Sequence, residues 1–172
     1  MPVAAEMADA LNVHMGRELS AHVQYLEASA WFDAEGLPEL AGFFERQAAE
    51  EHVHAMKFWR YLQDAGARVV IPALEAPKAD FESSEEVVGS ALDWELQVTR
   101  QIDDLVRMAR TGSDYATEAF LQWFVTEQVE EVATMSELLR VVQRAGEANL
   151  LLVEAYVSRK GAADGGGSAP AE

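Results

Sequence analysis

Apolar residues recur along this chain in alternating steps of three and four, the spacing of helices that each bury one stripe. A first seam runs through Ala4, Ala8, Leu11, Met15, Glu18, His22, Tyr25, Ser29 and Phe32. A second follows Leu40, Phe44, Gln47, Glu51, His54, Phe58, Tyr61 and Ala65. Val88, Ala91, Glu95, Val98, Ile102, Leu105 and Ala109 make a third, and Leu121, Phe124, Gln128, Glu131, Met135, Leu138 and Val142 a fourth. No run alternates with period two and no Asn-Gly hairpin occurs, so the pattern predicts an all-α chain. Punctuation sets the boundaries. The first helix is expected over 4–34, before Glu35-Gly36-Leu37-Pro38, and the second over 38–65, stopping at Gly66. The third starts at the serine cap and acidic first turn of Ser83-Ser84-Glu85-Glu86 and ends near Gly112. The fourth spans Ser113-Asp114 to Gly146, and a short fifth covers 147–158. Residues 161–172 read as a disordered Gly/Ala/Ser tail behind a single domain over 1–160.

Connection lengths then order the helices. The first and second helices, and the third and fourth, are joined by a few residues, so each pair is an antiparallel hairpin. Between the second and third lies Gly66 to Ser83, without helical period and holding Ile71-Pro72 and Ala76-Pro77. Extended, such a stretch reaches about 60 Å, whereas the helices it must pass are about 42 Å long. It can run the length of the bundle and leave the second and third helices parallel. The expected fold is a four-helix bundle with one long crossover and a short C-terminal fifth helix.

All four seams break near mid-helix, and each time at a carboxylate: Glu18, Glu51, Glu95 and Glu131. His54 and Gln128 sit one turn away on the same faces. Taken singly, each glutamate reads as a solvated helix residue. Taken together they would meet in one core, where an unpaired buried carboxylate costs several kcal/mol and like charges drive proton uptake. No lysine or arginine occupies the same seam level. Two divalent cations would balance four carboxylates, and oxygen ligands with one imidazole suit iron or manganese better than zinc. Tyr25, seven residues past Glu18, reads as a core tyrosine or as a hydrogen-bonding or redox neighbour of the metals. His14, His22 and His52 are read as solvated or interfacial.

The charge balance agrees with a cation-handling protein. Against 30 acidic residues stand 13 basic ones, a formal charge of −17, which argues against nucleic acid or an anionic membrane as partner. The chain has no cysteine, so disulfides, thiol catalysis and thiolate metal sites are excluded. The longest aliphatic run, Leu150 to Val153, is far too short for a bilayer, and Met1 to Gly16 lacks the basic-then-apolar order of a signal peptide. A cytoplasmic location is expected.

Three local stretches carry a family resemblance. Gly16-Arg17-Glu18-Leu19 with Tyr25 downstream, Ala49-Glu50-Glu51-His52-Val53-His54-Ala55-Met56, and Phe120-Leu121-Gln122-Trp123-Phe124-Val125-Thr126-Glu127-Gln128 resemble the first, second and fourth helices of bacterial non-haem ferritins. The Glu-x-x-His pattern is complete at Glu51 and His54, whereas Gln128-Val129-Glu130-Glu131 has no histidine, an asymmetry that resembles ferritins rather than bacterioferritins. The resemblance implies a ferritin-like bundle in which Glu18, Glu51 and His54 hold one iron. Glu51 bridges to a second iron held by Glu95 and Glu131, with Gln128 beside it. It implies a third iron site at Glu50, Glu127, Glu130 and Glu131. His52 stands where bacterioferritins carry a haem-ligating methionine, and haem is not expected. The resemblance further implies Fe(II) oxidation by dioxygen, ferric mineral storage, and a homo-oligomeric shell of 24 subunits in which Leu150, Leu151, Leu152 and Val153 are buried between subunits. A di-iron or di-manganese oxidase of an organic substrate shares the ligands. A metal-free structural bundle is the other alternative, and a DNA-protecting mini-ferritin is disfavoured by the acidic charge.

Overall fold

The computed structural model describes residues 3–165. Its helices are α1 (Ala5–Ala34), α2 (Pro38–Asp64), α3 (Ser84–Thr111), α4 (Tyr115–Ala145) and α5 (Leu150–Gly165), with a 3-10 turn over Glu147–Asn149. Among the described residues, no helix is long and apolar enough to cross a membrane. α1 packs on α2 and α3 on α4, the two hairpins joining through α1 against α3. Local chemistry explains the ends. Pro38 opens α2, where its missing N–H costs nothing. The Ser83 hydroxyl accepts from Glu86 N at 3.1 Å, and Asp114 accepts from Thr117 N at 3.1 Å. Gly36 takes φ +76° in the first hairpin turn, a conformation that L side chains resist.

The crossover is pinned along α1. Asn12 donates from Nδ2 to the Arg68 carbonyl at 3.0 Å and accepts from Val70 N at 2.7 Å. Further along, Gln24 donates to the Lys78 carbonyl at 2.9 Å and accepts from Lys78 N at 2.8 Å. Between them Gly16 faces Pro72 so closely that a Cβ at position 16 would overlap the proline ring. These partners, spaced along one helix, hold an otherwise unstructured strand of backbone against the bundle.

The third and fourth seams are buried at every predicted position. The first is corrected. Ala4 is exposed at the helix entrance, His22 and Ser29 are only half-buried, and the buried stripe passes through Met7, His14, Ala21 and Ala28. The buried stripe keeps the three-four alternation: Leu11, Glu18, Tyr25 and Phe32 are where the seam put them, but their companions are Met7, His14, Ala21 and Ala28, one residue before the Ala8, Met15, His22 and Ser29 of the traced seam. At the end of α2, where 3.6 residues per turn has drifted off the strict alternation, Leu62 rather than Tyr61 or Ala65 is buried.

The C-terminal expectations also change. Helix α5 continues to Gly165, so 161–165 are helical; the rest of the expected tail, 166–172, lies outside the described residues. Val157 is buried against α2 and α4, and Lys160 pairs with Glu137 of α4, which anchors the last turns. Val153 is fully buried within its own subunit, not held for another copy, while Leu151 and Leu152 are 77% and 66% exposed. Next to Val153, the buried Glu154 carboxylate accepts from Glu39 N and Leu40 N, both at 2.8 Å. It caps the start of α2 from a helix far away in sequence, with its negative charge at the positive end of the dipole.

Candidate metal centre

Two apolar clusters fill the ends of the bundle. One holds Phe32, Leu40, Phe44, Val88 and Leu138; the other holds Leu11, Phe58, Ile102, Leu121 and Phe124. Between them lies a polar belt. Glu18 from α1, Glu51 and His54 from α2, Glu95 from α3, and Gln128 and Glu131 from α4 are all buried there. Each helix delivers its residue because the seam position faces inward whether it is apolar or not.

Three triads of ligand atoms converge, each within 4.8 Å of one another: Glu18, Glu51 and His54; Glu51, Glu95 and Glu131; and His54, Glu127 and Glu131. Ligands on opposite sides of one ion with bonds of about 2.1 Å lie about 4.2 Å apart, so each triad fits an ion after small rotamer changes. Glu51 belongs to both all-buried triads. His54 Nδ1 lies 3.3 Å from Glu51 Oε2, its Nε2 lies 3.7 Å from Glu127 Oε1, and Trp123 and Phe124 wall its ring. Lysine and arginine are engaged at the surface instead, as in Lys78–Glu86, Arg107–Asp104 and Arg110–Glu118.

Electrostatics record the crowding. Burial, then the charges of Glu18 and Glu95, push Glu51 well above the ordinary carboxylate value. Burial pushes Glu95 up to about 7, against hydrogen bonds from Tyr25 and Gln128 that favour its anion. Burial and then Glu95 push Glu131 up to about 9. Glu18 moves the other way. Burial works to raise it, but the hydrogen bond and charge of His14, the Glu51 hydrogen bond and the His54 charge together hold it below its ordinary value. Burial also lowers His54 and, with the charges of Glu95 and Glu51, raises Tyr25 well above 10.0. Four anions do not coexist here without a cation.

The supporting shell is built from neighbours. Tyr25 donates its hydroxyl to Glu95 Oε1. Gln128 Nε2 donates to Glu95 Oε2 at 3.1 Å and to the Glu95 carbonyl at 3.2 Å, so its amide orients Glu95 from α4. His14 is corrected from the solvated or interfacial reading. It is buried, packed on Phe58, with Nε2 2.8 Å from Glu18 Oε1. Its signal was present in the sequence: it lies four residues before Glu18, hence on the same face. Of the positions expected for a third site, Glu127 is half-buried and joins His54 and Glu131, whereas Glu50 and Glu130 are exposed. All four of Glu50, Glu127, Glu130 and Glu131 line one cavity of about 440 Å³ that opens beside the belt toward α5. Burial and the charge of Glu127 raise Glu50.

Comparisons with known proteins agree with this fold. A family model described as a ferritin-like domain matches residues 8–145. The chain is 43% identical over 143 residues to a Mycobacterium tuberculosis protein named Ferritin BfrB, covering 83% of this chain and 78% of that one. It is 38% identical over 145 residues to a Staphylococcus aureus bacterial non-heme ferritin, covering 84% and 87%. Among solved structures, an open pore ferritin from the archaeon Archaeoglobus fulgidus superposes with a TM-score of 0.88 at 33% identity, covering 91% of this chain and 96% of that one.

Proposed function

Because the chain belongs to the ferritin-like domain family, we propose that it is an iron-storage ferritin that oxidises Fe(II) with dioxygen inside each subunit. The observation that carries this reading is the belt of four buried carboxylates and one imidazole converging on Glu51. Fe(II) is the substrate. One ion takes Glu18, Glu51 and His54; the second takes Glu51, Glu95 and Glu131, so Glu51 spans the pair. The two Fe(II) each give one electron to dioxygen, which takes up two protons and leaves as hydrogen peroxide, and hard carboxylate ligands favour the ferric product. Gln128 and Tyr25 hold Glu95 in place, and the protons kept by Glu95, Glu51 and Glu131 leave as the cations enter. Glu127, with Glu50 and Glu130, lines the outlet cavity and forms a third iron site through which ferric ions leave the pair. Haem has no role in this reading.

The product is stored as ferric mineral in a closed cytoplasmic homo-oligomer of 24 subunits. Exposed Leu151 and Leu152 on α5 supply apolar surface for contact between copies. The test is aerobic titration of purified protein with Fe(II), followed by size-exclusion chromatography. A fast phase of about two irons per subunit, with later iron co-eluting with a large protein shell, is the expected result. A small particle that oxidises no iron, or that turns over only an organic substrate, refutes the proposal.

A further inference from the structure

Away from the carboxylate belt, two imidazoles meet across the α1–α2 seam. His22 and His52 have ring centroids 5.6 Å apart with planes inclined at 55°. His22 is half-buried and His52 exposed. His22 Nδ1 lies 2.7 Å from the Ala48 carbonyl oxygen. A carbonyl only accepts, so Nδ1 carries the proton and the neutral ring presents its lone pair at Nε2. The same carbonyl is the helical acceptor for the His52 N–H, four residues on. One backbone oxygen thus fixes the His22 ring and the turn that carries His52. An imidazole whose second nitrogen donates to a backbone carbonyl is the arrangement that metal-ligating histidines adopt.

The spacing fits a shared ion. With metal–nitrogen bonds of about 2.1 Å and ring centres about 1.1 Å behind each nitrogen, two imidazoles on one ion at angles from square-planar to trigonal have centroids about 4.5–5.6 Å apart, and the observed pair lies at the open end of that range. We propose that His22 and His52 form a second metal site, separate from the carboxylate belt. It takes a divalent transition ion that prefers imidazole nitrogen, Cu²⁺, Zn²⁺ or Ni²⁺, with water completing the coordination. The net charge of −17 raises the local concentration of such cations. The site does not depend on iron oxidation and stands or falls separately from it.

The probe is Cu²⁺ added to the full-length protein, read by equilibrium dialysis and by electron paramagnetic resonance of bound copper. The parent should show a copper population coupled to two imidazole nitrogens. His52→Ala and His22→Gln should each remove that population and one site's worth of bound copper. Glu51→Ala, which disturbs the carboxylate belt, should keep it. His52 is exposed, so His52→Ala retains the fold and decides the matter even if His22→Gln does not fold. An unchanged copper count and spectrum in His52→Ala overturns the proposal, as does loss of the two-nitrogen signal in Glu51→Ala.

Discussion

The half of the polar belt built by α1 and α2 and the half built by α3 and α4 solve the same problem differently. In the first, His14 and His54 stand beside Glu18 and Glu51, and Glu18 is held below its ordinary value despite complete burial. In the second, Glu95 receives hydrogen bonds from Tyr25 and Gln128, and burial takes Glu95 and Glu131 up to about 7 and about 9. At neutral pH the first half offers one ready anion, Glu18, beside a Glu51 that burial and neighbouring charges push well above its ordinary value, while the second half has both of its carboxyls raised and holds protons that a cation must displace. The difference gives an order of loading. On the proposed function, a divalent ion would enter first at Glu18, Glu51 and His54, and its charge would then lower the cost of ionising Glu95 and Glu131 for the next.

Glu51 is the point where the two halves cannot be told apart, and its removal has the largest expected effect. Glu51→Ala takes a ligand from both triads, so stopped-flow absorbance should show no fast two-iron phase. Without metal the change is mild. It removes a carboxyl driven up by burial and by Glu18 and Glu95, and leaves a cavity. The metal-free variant should melt within about 4 °C of the metal-free parent. With iron bound the parent should be clearly the more stable, because a ligand stabilises only the state that binds it. A surviving fast phase would mean that α2 presents a different face to the belt.

The second test isolates the α3–α4 half. Glu95 and Glu131 have folded-state values raised from 4.5 to about 7 and about 9. A raised carboxyl binds its proton more tightly when folded, so its contribution is fully present below pH 4.5. It declines as pH rises and is gone above the folded value. Metal-free protein should therefore lose stability steadily from about pH 5 to about pH 9, by several kcal/mol in all. Glu131→Gln keeps the shape, cannot ionise, and should flatten the upper part of that slope in calorimetric melts. A metal-free parent whose melting temperature is level over this range would contradict the protonated half.

How much of this was legible beforehand varies with the physics. Helices, hairpins and the crossover follow from period and punctuation, and Glu51, Glu95 and Glu131 followed because seam interruptions show in the spacing itself. The path of the crossover did not, since Asn12, Gly16 and Gln24 act through single long-range contacts with residues 68 to 78 that leave no periodic trace. Glu154 was hidden for the same reason: a carboxylate on a C-terminal helix gives no hint that it caps α2. The tail was drawn too early because glycine and alanine at 161–165 read as unpacked, while Val157 and Lys160 carry the helix through them. His14 was missed because the first seam took Ala8, Met15, His22 and Ser29 beside the Leu11, Glu18, Tyr25 and Phe32 column, one residue off the buried Met7, His14, Ala21 and Ala28.

His14 is also the residue whose loss would make the first half resemble the second. It is the neighbour that offsets the burial of Glu18, at 2.8 Å and itself out of contact with water. His14→Leu keeps an apolar neighbour for Phe58 and removes both ring nitrogens, including the Nε2 beside Glu18. Glu18 should then keep its proton near neutral pH, and the first ion should have to displace it. Calorimetric titration with Zn²⁺, which binds without redox chemistry, should show the tighter step weakened by about 10- to 100-fold, the range found when a residue supporting a metal ligand is removed. It should also release more protons per ion, while the weaker step keeps its affinity. The smallness of the effect is part of its use: His14 touches Glu18 and not the ions, so the variant should still fill both positions once metal is in excess. If both steps weaken equally, His14 supports the belt as a whole and the two halves are not independent. If neither changes, the low value of Glu18 owes more to His54 and Glu51 than to His14, and the order of loading must rest on His54 alone.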